Sequence, residues 1–146
     1  DIKEEVAVVP GTDGQKMSKS YGNTIPLFGT DAEWKKAVMG IVTDSKGPTD
    51  PKDPKTCVVY QIHALFLSDA EQKSLAEEYK KGLSYGDAKK KLLETITQVL
   101  GPLRAKREEL AKDSGLVERV MKDGAERASA EAKKTMANVR KSIGLD

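Results

Sequence analysis

The sequence predicts a mainly α-helical chain: a C-terminal bundle of helices preceded by one short N-terminal strand and a mobile loop. Three observations carry that prediction. From about residue 55 onward, apolar residues recur at steps of three and four, the spacing that puts them on one helix face. The one run with strand character, Val6-Ala7-Val8-Val9, stands near the start. Between them, residues 10–23 are punctuated by Gly, Ser and Lys and follow neither period.

The opening residues Asp1-Ile2-Lys3-Glu4-Glu5 read as a charged loop running into the strand Val6–Val9. A lone strand presents unpaired backbone donors and acceptors, and every later apolar pattern is helical. The strand is therefore expected to belong to a sheet formed by sequence upstream of Asp1, the alternative being pairing between copies. A tight turn follows at Pro10-Gly11-Thr12-Asp13-Gly14-Gln15, then the loop Lys16-Met17-Ser18-Lys19-Ser20-Tyr21-Gly22-Asn23. Trp34, Ala37, Val38 and Ile41 predict a helix over 31–41 with Asp31 as its cap. Residues 43–54 hold three prolines and are expected to be an ordered but irregular segment.

Val58, Val59, Ile62, Leu65 and Phe66 predict a well-buried helix over 55–67, and Ser68-Asp69-Ala70-Glu71 resembles a capped start for the next one, which ends near Gly82. Ser84 caps a longer element whose stripe is Tyr85, Ala88, Leu92, Ile96, Val99 and Leu103. Pro102 lacks an N–H and crowds the preceding turn, so Gly101-Pro102 predicts a kink or break before Lys106–Lys112 resume the helix. The last helix opens after Ser114-Gly115. Its stripe, from Val117, Val120 and Met121 through Gly124, Ala125, Ala128 and Ala132 to Met136, Val139 and Ile143, reads as core, with small residues where another helix would approach and Gly144 as the stop. Residues from 55 onward thus form a bundle of four or five helices.

Composition narrows the function. The chain has 146 residues, 25 Lys plus Arg against 23 Asp plus Glu, and a net charge of +2, so it does not coat nucleic acid by bulk electrostatics, although local basic faces remain available. The apolar share of 38% suffices for one modest core. No apolar run has the length of a membrane helix, and a soluble, cytoplasmic protein is expected. One cysteine, Cys57, and one histidine, His63, cannot assemble a multi-Cys or multi-His metal site.

The segment with chemical content is Lys16-Met17-Ser18-Lys19-Ser20. Two ammonium groups three residues apart on a loop of hydroxyls and backbone donors suit a polyphosphate, and a closing loop can apply that charge as a pyrophosphate departs. The plainer reading of those residue types alone is a solvated surface loop.

The string Lys-Met-Ser-Lys-Ser is similar to the signature loop of class I aminoacyl-tRNA synthetases, and its continuation Tyr21-Gly22-Asn23-Thr24-Ile25-Pro26-Leu27-Phe28 resembles the bacterial tryptophanyl enzymes. The likeness extends through Thr43-Asp44-Ser45, the Pro-Lys-Asp-Pro run at 51–54, Gly-Leu-Ser-Tyr-Gly at 82–86 with Ala88-Lys89, and Gly124-Ala125 to Val139-Arg140 and Gly144-Leu145, so it covers essentially the whole chain. The resemblance implies ATP-dependent activation of tryptophan to tryptophanyl-adenylate and transfer to the cognate tRNA. Lys16 and Lys19 would contact the triphosphate of ATP, Lys19 carrying most of the transition-state charge stabilisation; Ser18 and Ser20 would assist and Met17 would anchor the loop by packing. ATP and Mg2+ enter as substrate, with no tightly bound cofactor and no metal held by the protein. Residues 1–30 would be the end of a Rossmann-type catalytic domain, with Val6–Val9 as its last strand, and residues 31–146 a helical, anticodon-binding domain. A homodimer is expected through the catalytic half.

The family's His-x-Gly-His element has no counterpart, because His63 is followed by Ala64, and the tryptophan pocket that the family builds upstream is absent from this sequence. The chain alone is therefore expected to be catalytically inactive. The alternative is a stand-alone helical RNA- or protein-binding module without ligase activity. His63, beside Ile62, Leu65 and Phe66, reads as a satisfied, partly buried side chain, and Cys57 as a helix-face residue. The lysines at 35–36, 80–81 and 89–91 read as wet helix faces without a role. Exposed arginines such as Arg104, Arg107 and Arg127 are candidates for stacking on RNA bases.

Overall fold

The computed structural model describes residues 8–145. Within them the chain is helical: α1 (Asp31–Met39), α2 (Val58–Ala64), α3 (Asp69–Lys80), α4 (Tyr85–Leu110) and α5 (Leu116–Ser142), with a short 3-10 turn at Lys19–Tyr21. Val6 and Ala7 of the expected strand lie outside the described residues, and the pairing seen nearby is a single antiparallel bridge between Pro10 and Lys16. The chain divides into two compact units between Ala105 and Lys106.

In the first unit, one core cluster joins four helices. Trp34 and Val38 come from α1, Val59 and Ile62 from α2, Leu75 and Tyr79 from α3, and Ala88, Leu92, Ile96 and Leu100 from α4. Burial of each large aliphatic side chain contributes roughly 1.5–3 kcal/mol. The buried face of α4 steps by four from Ala88 to Leu100, so the expected stripe is right as far as Ile96 and then wrong: Val99 and Leu103 are exposed, and Leu100 is the residue turned inward.

Helix ends follow local chemistry. The cap of α1 is Thr30 rather than Asp31: its Oγ1 accepts from Glu33 N at 3.2 Å, while Thr30 N donates to the Glu33 carboxylate at 2.7 Å. Asp31 instead occupies the first turn, where a carboxylate complements the exposed N–H groups. Ser68 N and Oγ both donate to Glu71 at the start of α3. At its end, Leu83 N donates to Glu78 O and Gly82 N to Tyr79 O, a Schellman closure with Gly82 at φ +97°. Helix α2 is shorter than the expected 55–67, because residues 54–56 form a turn and Cys57, at the N-cap position, is buried before the helix begins.

Neither a break nor a new start occurs at Gly101-Pro102; α4 runs through both and ends at Leu110. Proline removes one intrahelical bond, a loss a long helix with a well-anchored N-terminal half can absorb.

The proline-rich segment 43–54 is irregular, as expected, and Lys52 orders it. Its buried Nζ donates to the carbonyls of Gly47 (3.0 Å), Pro48 (3.2 Å) and Asp50 (2.9 Å) and sits 5.0 Å from the Tyr85 ring centre. Lys89 likewise has a role: from α4 it donates to Met39 O and Ile41 O, satisfying carbonyls at the C-terminus of α1.

In the second unit, the stripe expected to be core is not. No residue of α5 is buried, Val117, Val120, Met121, Met136 and Val139 are all exposed, and a Cβ on Gly124 would meet nothing beyond the helix's own backbone. Periodicity identifies an apolar face; it carries no information on whether anything covers it.

Candidate functional site

The loop at 10–23 is a hairpin held from within. Gly11 N donates to Gln15 O and Gly14 N to Gly11 O, closing the turn, while Met17 N donates to Val9 O at 2.8 Å. Gly14 takes φ +81°, a conformation that side chains with a Cβ rarely adopt. Thr12 ties this hairpin to the end of α1, since its carbonyl accepts from Val42 N at 2.8 Å.

Asn23 organises the lysine segment. It is buried, with 3% of its surface exposed, and all of its amide chemistry is spent on the loop. Ser18 N donates to Asn23 Oδ1 at 2.8 Å; Asn23 Nδ2 donates to Lys16 O at 3.1 Å and to Asp13 Oδ1 at 2.7 Å. Asn23 O accepts from Thr12 N at 2.9 Å. Asp13 Oδ1 also accepts from Gln15 N, so one carboxylate joins the turn to the asparagine. The Asn23 amide is the main reason the Asp13 carboxyl lies below the usual range, with the Gln15 N–H adding to it. Gly11 has to be glycine for the same reason: a Cβ there would overlap the Asn23 amide.

With the backbone of residues 16–18 pinned, the side chains go outward. Lys16, Lys19 and Ser20 are exposed, and neither lysine ammonium makes an ion pair or hydrogen bond with a described residue. Ser18 Oγ and Ser20 Oγ lie 2.8 Å apart. Lys19 opens the 3-10 turn, which Gly22 closes at φ +65°. Met17 is half-buried. Val8, Pro10, Gln15, Lys16, Gln61 and Leu65 line an open cleft of about 310 Å³ beside the loop. The structure thus brings all five residues of the signature segment together on one loop, with two exposed cations that pair with none of the described residues.

Downstream, the chain is fastened to α1 and α4. Trp34 Nε1 donates to Pro26 O at 2.7 Å, and Arg104 donates to Gly29 O at 2.9 Å and to Asp31 at 2.8 Å. Arg104, a sequence candidate for contact with RNA, is engaged here: its guanidinium lies 4.5 Å from the centre of the Trp34 ring. Arg127 is exposed and pairs with Asp123 one helical turn away, and Arg107 is also exposed.

His63 is buried, its Nε2 2.8 Å from Thr95 Oγ1. Among the described residues no group of three His, Cys, Asp or Glu side chains is placed to hold a metal ion, and no helix is long and apolar enough to cross a membrane. Sequence reasoning singled out the lysines but missed Asn23 and Asp13. The signal was present in the pairing of an Asx residue in a Gly-rich turn with another after the loop, both types that hydrogen-bond local backbone.

The family described as tRNA synthetases class I (W and Y) matches residues 3–101. The chain is 45% identical over 140 residues to the tryptophan–tRNA ligase of Rhodopirellula baltica, covering 95% of this chain and 44% of that protein. It is 39% identical to the Xanthomonas axonopodis pv. citri ligase, covering 99% and 34% respectively. Among solved structures, the tryptophanyl-tRNA synthetase of Campylobacter jejuni complexed with ADP and tryptophan superposes with a TM-score of 0.85 at 40% identity, over 99% of this chain and 46% of that one. The chain therefore spans less than half the length of these relatives.

Proposed function

The chain belongs to the class I tRNA synthetases of the tryptophan and tyrosine type, and from that premise we propose that it is the part of a tryptophan–tRNA ligase carrying the ATP-binding loop and the tRNA-facing helices. The tryptophan relatives, matched along nearly the whole chain, favour tryptophan over tyrosine as the amino acid. The observation that carries the reading is the Asn23-pinned loop with Lys16 and Lys19 exposed and paired with none of the described residues.

In adenylate formation the tryptophan carboxylate attacks the α-phosphorus of ATP, the bond from that phosphorus to the bridging oxygen breaks, and pyrophosphate leaves with the electron pair. Negative charge grows on the departing oxygens. Lys16 and Lys19 meet that charge with two ammonium groups, and the Ser18 and Ser20 hydroxyls supply donors beside them. Exposed ammonium groups are suited to the task because no carboxylate among the described residues has to be displaced first. Mg2+ travels with the triphosphate, in keeping with its habit of binding through substrate phosphates and water.

Residues 1–30 close the catalytic domain in this reading, and residues 31–146 form the helical domain that contacts the tRNA for tryptophan around its anticodon. The ligase works as a cytoplasmic homodimer, with tryptophan bound by the half of the protein that carries His-x-Gly-His. The test is amino-acid-dependent ATP–pyrophosphate exchange by the product of the full reading frame, with tryptophan and tyrosine side by side and this 146-residue chain as the blank. Exchange with tryptophan alone, and none from the chain by itself, supports the reading; no exchange with either amino acid returns the weight to a binding module.

A further inference from the structure

We infer that Asn23 is a positioning residue for adenylate formation, acting with Asp13 as a clamp that sets where Lys16 and Lys19 can reach; the inference rests on the ligase reading above. Three facts converge. Asn23 is the one buried polar side chain of the loop, at 3% exposure, in a segment whose other polar side chains are exposed or half-buried. Its two amide atoms bracket Met17, gripping Lys16 O on one side and Ser18 N on the other, so the backbone directions from which both lysines depart depend on a single side chain. Its remaining donor goes to Asp13 Oδ1, and Asp13 holds Gln15 N, so the grip is referred back to the hairpin turn rather than left floating. The Asn23 side chain is buried against the loop's own backbone, so its effect passes through the lysines. A displacement of about 1 Å in a positioned catalytic group can cost on the order of 100-fold in rate.

The experiment is pyrophosphate exchange by the full-length ligase with Asn23→Ala, Asp13→Ala, Lys19→Ala and the Asn23→Ala/Lys19→Ala pair. Asn23→Ala should lower kcat at least tenfold with the tryptophan KM unchanged, and Asp13→Ala, which removes an exposed partner and leaves the buried amide in place, should act in the same direction more weakly. A residue that acts through Lys19 has little left to do once Lys19 is gone, so the double variant should be far less impaired than the product of the single losses. A general folding defect would multiply through instead. Full activity in Asn23→Ala, or multiplicative losses in the double variant, would overturn the inference while leaving the ligase reading intact. Absence of exchange in the unmodified enzyme would overturn the ligase reading itself, and the inference with it.

Discussion

Arg104 and Trp34 form a locked pair: the guanidinium of one lies 4.5 Å from the ring centre of the other, while its NH1 reaches Gly29 O at 2.9 Å and Asp31 Oδ1 at 2.8 Å. Trp34 in turn donates from Nε1 to Pro26 O. The residues that follow the lysine loop are thereby stapled to α1 and to α4. An arginine committed to a ring face and two oxygens is not free to stack on an RNA base.

Replacing Arg104 by Ala should therefore lower the stability of the chain by roughly 1–3 kcal/mol, through a stacking contact and charge-assisted hydrogen bonds lost together. Arg104→Lys should recover little of it, because a single ammonium cannot keep a planar contact with the ring and satisfy two acceptors at once. Urea midpoints of the two variants would check this. A large loss of tRNA binding at unchanged stability would restore Arg104 to the RNA-contacting face.

The bend after α3 offers a second test. Gly82 has φ +97°, and a Cβ at that position would overlap the carbonyl of Thr49, which is backbone and has no side-chain freedom to move aside. Gly82→Ala should cost at least about 2 kcal/mol, combining a left-handed backbone with a clash. Gly22→Ala, also at positive φ but with nothing within 4 Å of its Cβ, should cost no more than about 1–2 kcal/mol. Parallel thermal melts would separate strain from overlap.

Much of this was legible from local chemistry. The Ser68–Glu71 box, the Ser84 start and the Gly82 stop each depend on residues a few positions apart, and a helix end is decided at that range. Thr30 was missed in favour of Asp31 because both are good caps and the choice turns on where Glu33 lands three residues later. What was not legible depends on neighbours distant in sequence. Lys52 and Lys89 read as ordinary charged residues until the carbonyls of 47–50 and of 39 and 41 are brought to them. Of the functional loop, the two cations were visible in the motif, whereas the asparagine holding them became visible only when its amide was found buried against their backbone.

For the lysines themselves, the ligase reading predicts a specific kinetic pattern. Lys19→Ala in the full-length enzyme should lower the rate of adenylate formation by roughly 10²–10³-fold, the scale of losing one preorganised charge donor. The KM for ATP should change far less, since charge that matters only as pyrophosphate leaves contributes little to ground-state binding. Lys16→Ala should show the same pattern at smaller amplitude. Single-turnover kinetics would measure it, and a loss confined to ATP affinity would argue against transition-state stabilisation.

The last prediction concerns pH. Thr95 Oγ1 donates to Lys91 O at 3.0 Å, so it meets His63 Nε2 as an acceptor; the imidazole then carries its proton on Nε2, leaving Nδ1 buried without a partner among the described residues. A second proton would have to sit on that Nδ1. Burial lowers the His63 pKa from its ordinary 6.5, the nearby Lys91 lowers it further, and Glu78 offsets part of this. A base with a depressed native pKa binds fewer protons folded than unfolded, so its contribution to stability is complete above about pH 6.5 and is lost as pH falls from there toward the native value. The slope cannot exceed about 1.4 kcal/mol per pH unit for one proton. His63 is the single histidine of the chain, and the carboxylates whose pKa the fold lowers, such as Glu33 and Glu71, titrate below this window. Urea midpoints should therefore decline between pH 6.5 and 5, and His63→Leu should flatten that decline; a slope that survives the substitution would assign it to another group.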